Sequence, residues 1–243
     1  MVATFEEYRA LGRTRSIAAM SAELLAAIHA DLADDELRLV YADALLEADD
    51  PRGEHIVLQL NRARAGGKRT AREIALERIH ARRWVGPAGA WLGPMLRYER
   101  GFLVAAAHGG RPTAISAKSI GAPVWTTLEE LDMTKATESA VTFLSHPVLH
   151  SLRTLTGVLA STLVAIKGRS LRHVGLRSID VAPSRIVTAL AKHKQLESLD
   201  LGGVPDPELM ILAAARLPKL KTIAFRKRRF ERAGKDAWKE IRK

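Results

Sequence analysis

Leu196-Glu197-Ser198-Leu199-Asp200-Leu201 is one of five short segments that decide the fold. The others are Leu128-Glu129-Glu130-Leu131-Asp132-Met133, Leu152-Arg153-Thr154-Leu155-Thr156-Gly157, Leu171-Arg172-His173-Val174-Gly175-Leu176 and Leu220-Lys221-Thr222-Ile223-Ala224-Phe225. Their first positions lie 24, 19, 25 and 24 residues apart. A recurrence of roughly 20–29 residues with one short strand per period is a repeat signature. Segments of helical pattern fill the gaps: Ala136–Leu144, Val158–Ile166, Ser184–Ala191 and Pro207–Arg216. Stepping back 24 residues from Leu128 reaches Val104, so Gly101-Phe102-Leu103-Val104 is expected to supply a leading strand.

On these segments, residues 96–225 resemble a leucine-rich-repeat solenoid. The position that often holds Asn or Cys in such repeats is here Ala136, Ala160, Ile179, Val204 and Arg228, so the turns must rely on backbone bonding or water. The 19-residue step, and Gly157 where Leu belongs, mark the second repeat as irregular. Alternate residues of a strand point to opposite faces. With the leucines inside, a stripe that includes Glu130, Asp132, Thr154, Thr156, His173, Arg177, Ser198, Asp200, Thr222 and Arg226 faces the concave side. Five or six strands at ~4.8 Å make a face about 20–25 Å across, room for one helix or an extended peptide. The partner-binding set read from it is Glu130, Asp132, His173, Arg177, Ser198, Asp200 and Arg226.

The first 95 residues read differently. Leu24, Leu25, Ile28 and Leu32 follow a helical period, with Ser21 placed as N-cap. Leu37, Val40, Tyr41, Ala44 and Leu45 form a second apolar face. Asp50-Pro51 starts a third helix that ends at Gly66-Gly67, and Thr70-Ala71-Arg72-Glu73 is a capping box opening a fourth. The Gly- and Pro-rich run from Val85 to Pro94 breaks the pattern. The strings Leu37-Arg38-Leu39-Val40-Tyr41-Ala42-Asp43-Ala44-Leu45 and Asp50-Pro51-Arg52-Gly53-Glu54-His55-Ile56 resemble the repeat-companion domain of certain bacterial repeat proteins. Trp91-Leu92-Gly93-Pro94 and Arg100-Gly101-Phe102 fit that family's junction with its repeats. Ala44 departs from the Trp usual there. The resemblance implies an accessory helical domain and no activity.

Charge is uneven along the 243 residues, whose formal net charge is +11. Residues 1–60 carry 5 basic and 12 acidic side chains and residues 61–120 carry 12 and 3, which implies pairing within the first domain. Residues 226–243 hold nine basic and three acidic groups. Phe230, Ala233, Ala237, Trp238 and Ile241 would form one apolar stripe on a helix, as an end cap requires. The segment is therefore expected to be a basic amphipathic capping helix. Its Arg226, Lys227, Arg228, Arg229, Arg232 and Lys235 form an alternative, polyanion-binding site.

Composition excludes much chemistry. With no cysteine there is no disulfide, Cys-ligated zinc, iron–sulfur cluster or thiol nucleophile. Gly66-Gly67-Lys68 lacks the remainder of a P-loop, and no G-x-S-x-G, H-E-x-x-H or G-x-G-x-x-G occurs. His146 and His150 have metal-compatible spacing but no Cys or acid partner, and Glu130 with Asp132 shares an open strand face where nothing raises a carboxyl pKa. The fold expected is α/β: an N-terminal helical domain (1–95), a short leucine-rich-repeat solenoid with parallel strands (96–225) and a C-terminal capping helix (226–243). The function expected is a cytoplasmic, non-enzymatic scaffold that binds another protein, with no catalytic residue, metal, cofactor or membrane span. Nucleic-acid binding through the basic tail, with the basic stretch 62–83, is the alternative.

Overall fold

The computed structural model describes residues 17–110, 117–136, 140–166, 171–202, 207–225, 228–234 and 238–241. It is a mixed α/β protein with an open nine-stranded sheet that is mostly parallel. The chain divides into two compact units, residues 1–89 with 96–104, and residues 90–95 with 105–243.

Among the described residues of the first unit four helices follow one another: α1 (Ile17–Ala30), α2 (Asp35–Glu47), α3 (Pro51–Ala65) and α4 (Ala71–Trp84). Helix α1 begins at Ile17, so Ser21 lies inside it and is not its cap. The other helix starts obey local chemistry. Asp34 accepts from the N–H groups of Glu36 and Leu37, and Asp50 accepts from that of Arg52 ahead of Pro51. Thr70 and Glu73 form a reciprocal capping box, and Gly66 closes α3 in the left-handed region. Leu24, Ile28, Tyr41, Leu45, Ile56 and Phe102 form the core. A Cβ on Gly53 would stand 2.6 Å from the Ala42 carbonyl oxygen, so only glycine lets α3 approach α2 this closely.

Strands β1 (Leu92–Glu99) and β2 (Phe102–His108) form a hairpin whose tip belongs to the first unit. Arg100 and Gly101 both have positive φ, as a two-residue I′-like loop requires. Buried Gln59 holds this tip. Its Nε2 donates to the Tyr98 carbonyl (3.1 Å) and to Glu77 Oε1 (3.2 Å), while its Oε1 accepts from Gly101 N–H (2.8 Å). The acidic and basic stretches pair here, as in Arg64–Glu36 and Arg72–Glu54, and Arg62 holds Glu73 within the basic stretch.

In the second unit the strands are β3 (Glu130–Asp132), β4 (Thr154–Leu159), β5 (His173–Ser178), β6 (Ser198–Asp200) and β7 (Thr222–Phe225), each parallel to the one before. Helices α5 (Ala117–Ile120), α6 (Val141–Leu144), α7 (Ala160–Ala165), α8 (Pro183–Leu190) and α9 (Pro207–Arg216) alternate with them. The repeat residues Leu131, Leu155, Val174, Leu199 and Ile223 are covered, and Trp91, Trp125 and Phe143 pack edge to face beside them.

The second repeat is irregular where Gly157 stands. Its φ is +70°, and the β4–β5 register shifts between Leu155 and Val158. The extra residue lets Val158 take the buried slot that Leu fills elsewhere.

The C-terminal segment corrects the expectation of a capping helix. Arg228–Arg232 (β8) and Trp238–Ile241 (β9) are strands, and β8 and then β9 add to β7 antiparallel. A free β7 edge would leave a row of unpaired backbone groups, and the hairpin pairs them. Gly234 lies between the strands, and Ala233 and Ile241 are exposed, so these two stripe positions are not buried as a capping helix would require. Arg228 bridges both oxygens of Glu240 at 2.7 Å and sits over Phe225 and Phe230, which stack on each other.

Candidate interaction surface

Strand register assembles one face of the second unit residue by residue. Ala105, Glu130, Thr154, His173, Ser198, Thr222 and Glu231 are successive partners across seven strands. A second row runs Ala107, Asp132, Thr156, and then Gly175, Asp200, Ala224 and Arg229 beyond the β4 bulge. Glu130, His173 and Asp200 are exposed, and Thr154, Thr156 and Ser198 are half-buried. The alternate side chains are covered, and α7 packs against β4 and β5. None of the described helices therefore covers this face.

A third row lies at the N-terminal rim of the strands. The Glu129 carbonyl accepts from both Arg153 and Thr154 N–H, and the pattern recurs at Arg153, Arg172 and Glu197. Lys221 continues it by accepting from Arg232 N–H. Glu129, Arg153, Arg172, Glu197, Lys221 and Arg232 thus form a register line whose charge is predominantly positive. The Glu197 carboxyl is held below the usual carboxylate range, chiefly by its hydrogen bond to Lys221 Nζ and then by the charges of Lys221, Arg172 and His173.

The sequence-derived partner set divides on this surface. Glu130, His173 and Ser198 share one row, and Asp132 and Asp200 share the next. The two aspartates are engaged in their own turns, Asp132 accepting from Thr134 N–H and hydroxyl and Asp200 from Gly202 N–H. Arg177 reaches back across the bulge and donates to the carbonyls of Thr134 (3.1 Å) and Ala136 (2.6 Å). It satisfies the carbonyls of the turn that follows β3. Ser161 and Asp180 do similar work one repeat later, where the serine N–H and hydroxyl both bond the carboxylate. Burial alone would raise the Asp180 pKa; these donors outweigh it and leave it lowered.

Of the alternative set, Arg226, Lys227 and Lys235 lie outside the described residues. Arg228 is taken by Glu240, and Arg232 Nη1 donates to the Leu217 carbonyl at 2.8 Å. Arg229 is exposed, with no carboxylate at ion-pair distance among the described residues. His146 accepts from Val148 N–H at a 3-10 turn and His150 meets Ser151, so both serve local turns. Among the described residues no three His, Asp or Glu side chains could hold a metal ion. None of the helices described is long and apolar enough to cross a membrane.

Sequence reasoning missed the rim. Five of its six residues precede a strand at the second position of a repeat segment, and their alignment could have been read from the same period; Arg232 joins them from the end of β8. Comparison with protein families, curated proteins and solved structures finds no match to this chain.

Proposed function

We propose that the chain is a non-enzymatic, cytoplasmic protein-binding scaffold: a repeat-companion-like helical domain followed by a leucine-rich-repeat array whose concave strand face receives another protein. One observation carries this reading. The strands from β2 to β7 are all parallel, yet one face has none of the described helices on it. Parallel sheets ordinarily have both faces covered. Here polar side chains replace the apolar residues that a second helical layer would need. Thr154, His173 and Ser198 form its centre, with Glu130 beside them. Six strands at ~4.8 Å spacing offer a width of about 24 Å, which takes one helix or an extended segment.

The alternative, nucleic-acid binding through the tail, now rests on Arg229 and on residues outside the described ones. A test separates the two. A photo-crosslinking residue is placed at Thr154 or Ser198 on the open face, or at Thr188, exposed on α8. In extract of the source cells, the face positions should each yield an adduct with one discrete protein and Thr188 should not. Adducts from Thr188 alone would overturn the reading. Duplex binding that collapses with salt and is lost in Arg229→Glu would replace it.

A further inference from the structure

We propose that the groove where the parallel strands meet the antiparallel hairpin binds an acidic peptide segment of the partner protein. This rests on the scaffold reading and names what the partner must present. The groove encloses about 720 Å³ and adjoins a smaller cavity of about 320 Å³ through Gln195, Pro218 and Lys219. Its size falls in the range of ligand-binding clefts, roughly 300–1,000 Å³.

Six charged side chains line it: Lys219, Lys221, Arg229 and Arg232 against Glu197 and Glu231. Lys221 is paired with Glu197 at 2.8 Å, and Arg232 is fixed on backbone carbonyls. Lys219 Nζ meets only the neutral Gln195 side chain, at 3.1 Å. Lys219 and Arg229 thus bring positive charge that no carboxylate among the described residues neutralises. Arg172 and Arg153 continue the positive rim away from the groove.

The chemistry favours a peptide over a nucleic acid. Glu197 and Glu231 stand within the groove, where they repel an unbroken chain of phosphates but accept the N–H groups of a peptide backbone. No aromatic side chain lines the groove, so bases have no stacking platform there. The Asp or Glu side chains of an extended segment would meet Lys219 and Arg229.

The test measures anisotropy of a labelled short peptide of alternating Glu and Ser. Its Gln–Ser counterpart and a short oligothymidylate serve as comparison probes. Runs at about 50 and about 150 mM salt vary the screening. The acidic peptide should bind, more weakly at the higher salt, and the Gln peptide should not. The double variant Lys219→Glu/Arg229→Glu, at exposed positions that circular dichroism should find folded, should weaken binding about tenfold or more. Glu231→Gln should tighten it. Wild-type affinity in the double variant, equal binding of the Gln peptide, or tighter oligothymidylate binding through the same residues would each overturn the inference. A partner adduct at Thr154 that survives the double variant unchanged would remove the groove and leave the open-face reading standing. Peptide binding without any face adduct would remove the open-face reading alone.

Discussion

The two units solve the problem of burial in opposite ways. In the first, Arg38 and Glu73 are buried charges, and His55 and Gln59 are buried beside them. Each has a particular partner: Arg62 holds Glu73, Glu77 meets His55, and Arg38 lies over Phe102 near Asp35. In the second unit no charged side chain among the described residues is buried, and each repeat strand covers aliphatic side chains at equivalent positions. The first unit defines its arrangement through particular polar partnerships. The second selects it through repetition, which sets register but distinguishes one strand from the next only weakly.

That contrast can be broken by experiment. The largest effect is expected from Leu199→Ala, at a position fully covered in a regular repeat, which should cost about 3 kcal/mol. Native-state hydrogen exchange should show the loss in the second unit while the first keeps its protection. A loss shared equally by both would mean that they unfold as one. Next is Gly157→Ala, at about 2 kcal/mol by denaturant titration. Its Cβ would stand 2.2 Å from Thr134 N, and its φ is +70°. Gly175→Ala should cost less, because there the new atom meets a Thr156 methyl at 3.1 Å. Equal losses at the two glycines would show that the bulge is not a special point in the repetition.

The smallest effect sharpens the other half of the comparison. Glu73→Gln should cost about 1 kcal/mol near neutral pH, through the capping box and Arg62. Burial alone would raise the Glu73 pKa, but the Thr70 N–H and the Arg62 guanidinium outweigh it and hold it lowered. The stability it supplies is therefore complete above the usual carboxylate range, about pH 4.3. It is lost as the pH falls through the lower native-state value. Thermal melts from neutral to acid pH should show a shallower decline in the variant. Identical slopes would remove Glu73 from the account.

Much of this was legible in the sequence, for reasons that differ along the chain. The repeat strands could be read because one leucine period recurs five times, and α3 and α4 because Asp50-Pro51 and Thr70 state their own caps. Strand β1 was hidden: Gly93 and Pro94 look like a break, and its pairing depends on Arg100 adopting a positive φ, which no residue pattern announces. The tail was misread because five apolar residues that fit a helical stripe also allow two strands, and the edge of β7 decides between them. At the site, face positions followed from alternation alone. The engagement of Arg177 did not, since its acceptors lie more than forty residues earlier and come within reach only through the bulge. The rim was not legible from strand alternation, because five of its residues stand just before the strands and are aligned by backbone bonds to one carbonyl each.

Strand order in the sheet is the same as order along the chain, from first to last. Among the described residues, each strand from β4 to β7 begins with the same pair of N–H groups on one carbonyl of the segment before it. Copy number is therefore a free variable of this design. Duplicating the 24-residue stretch from Leu196 to Lys219 would open a single rung and close two of the same kind. The open face would widen by about 4.8 Å. Gene-level gain or loss of a unit could lengthen or shorten the binding face without new packing solutions. The β4 bulge, tied to Thr134 and Arg177, is the one place where such an exchange would fail.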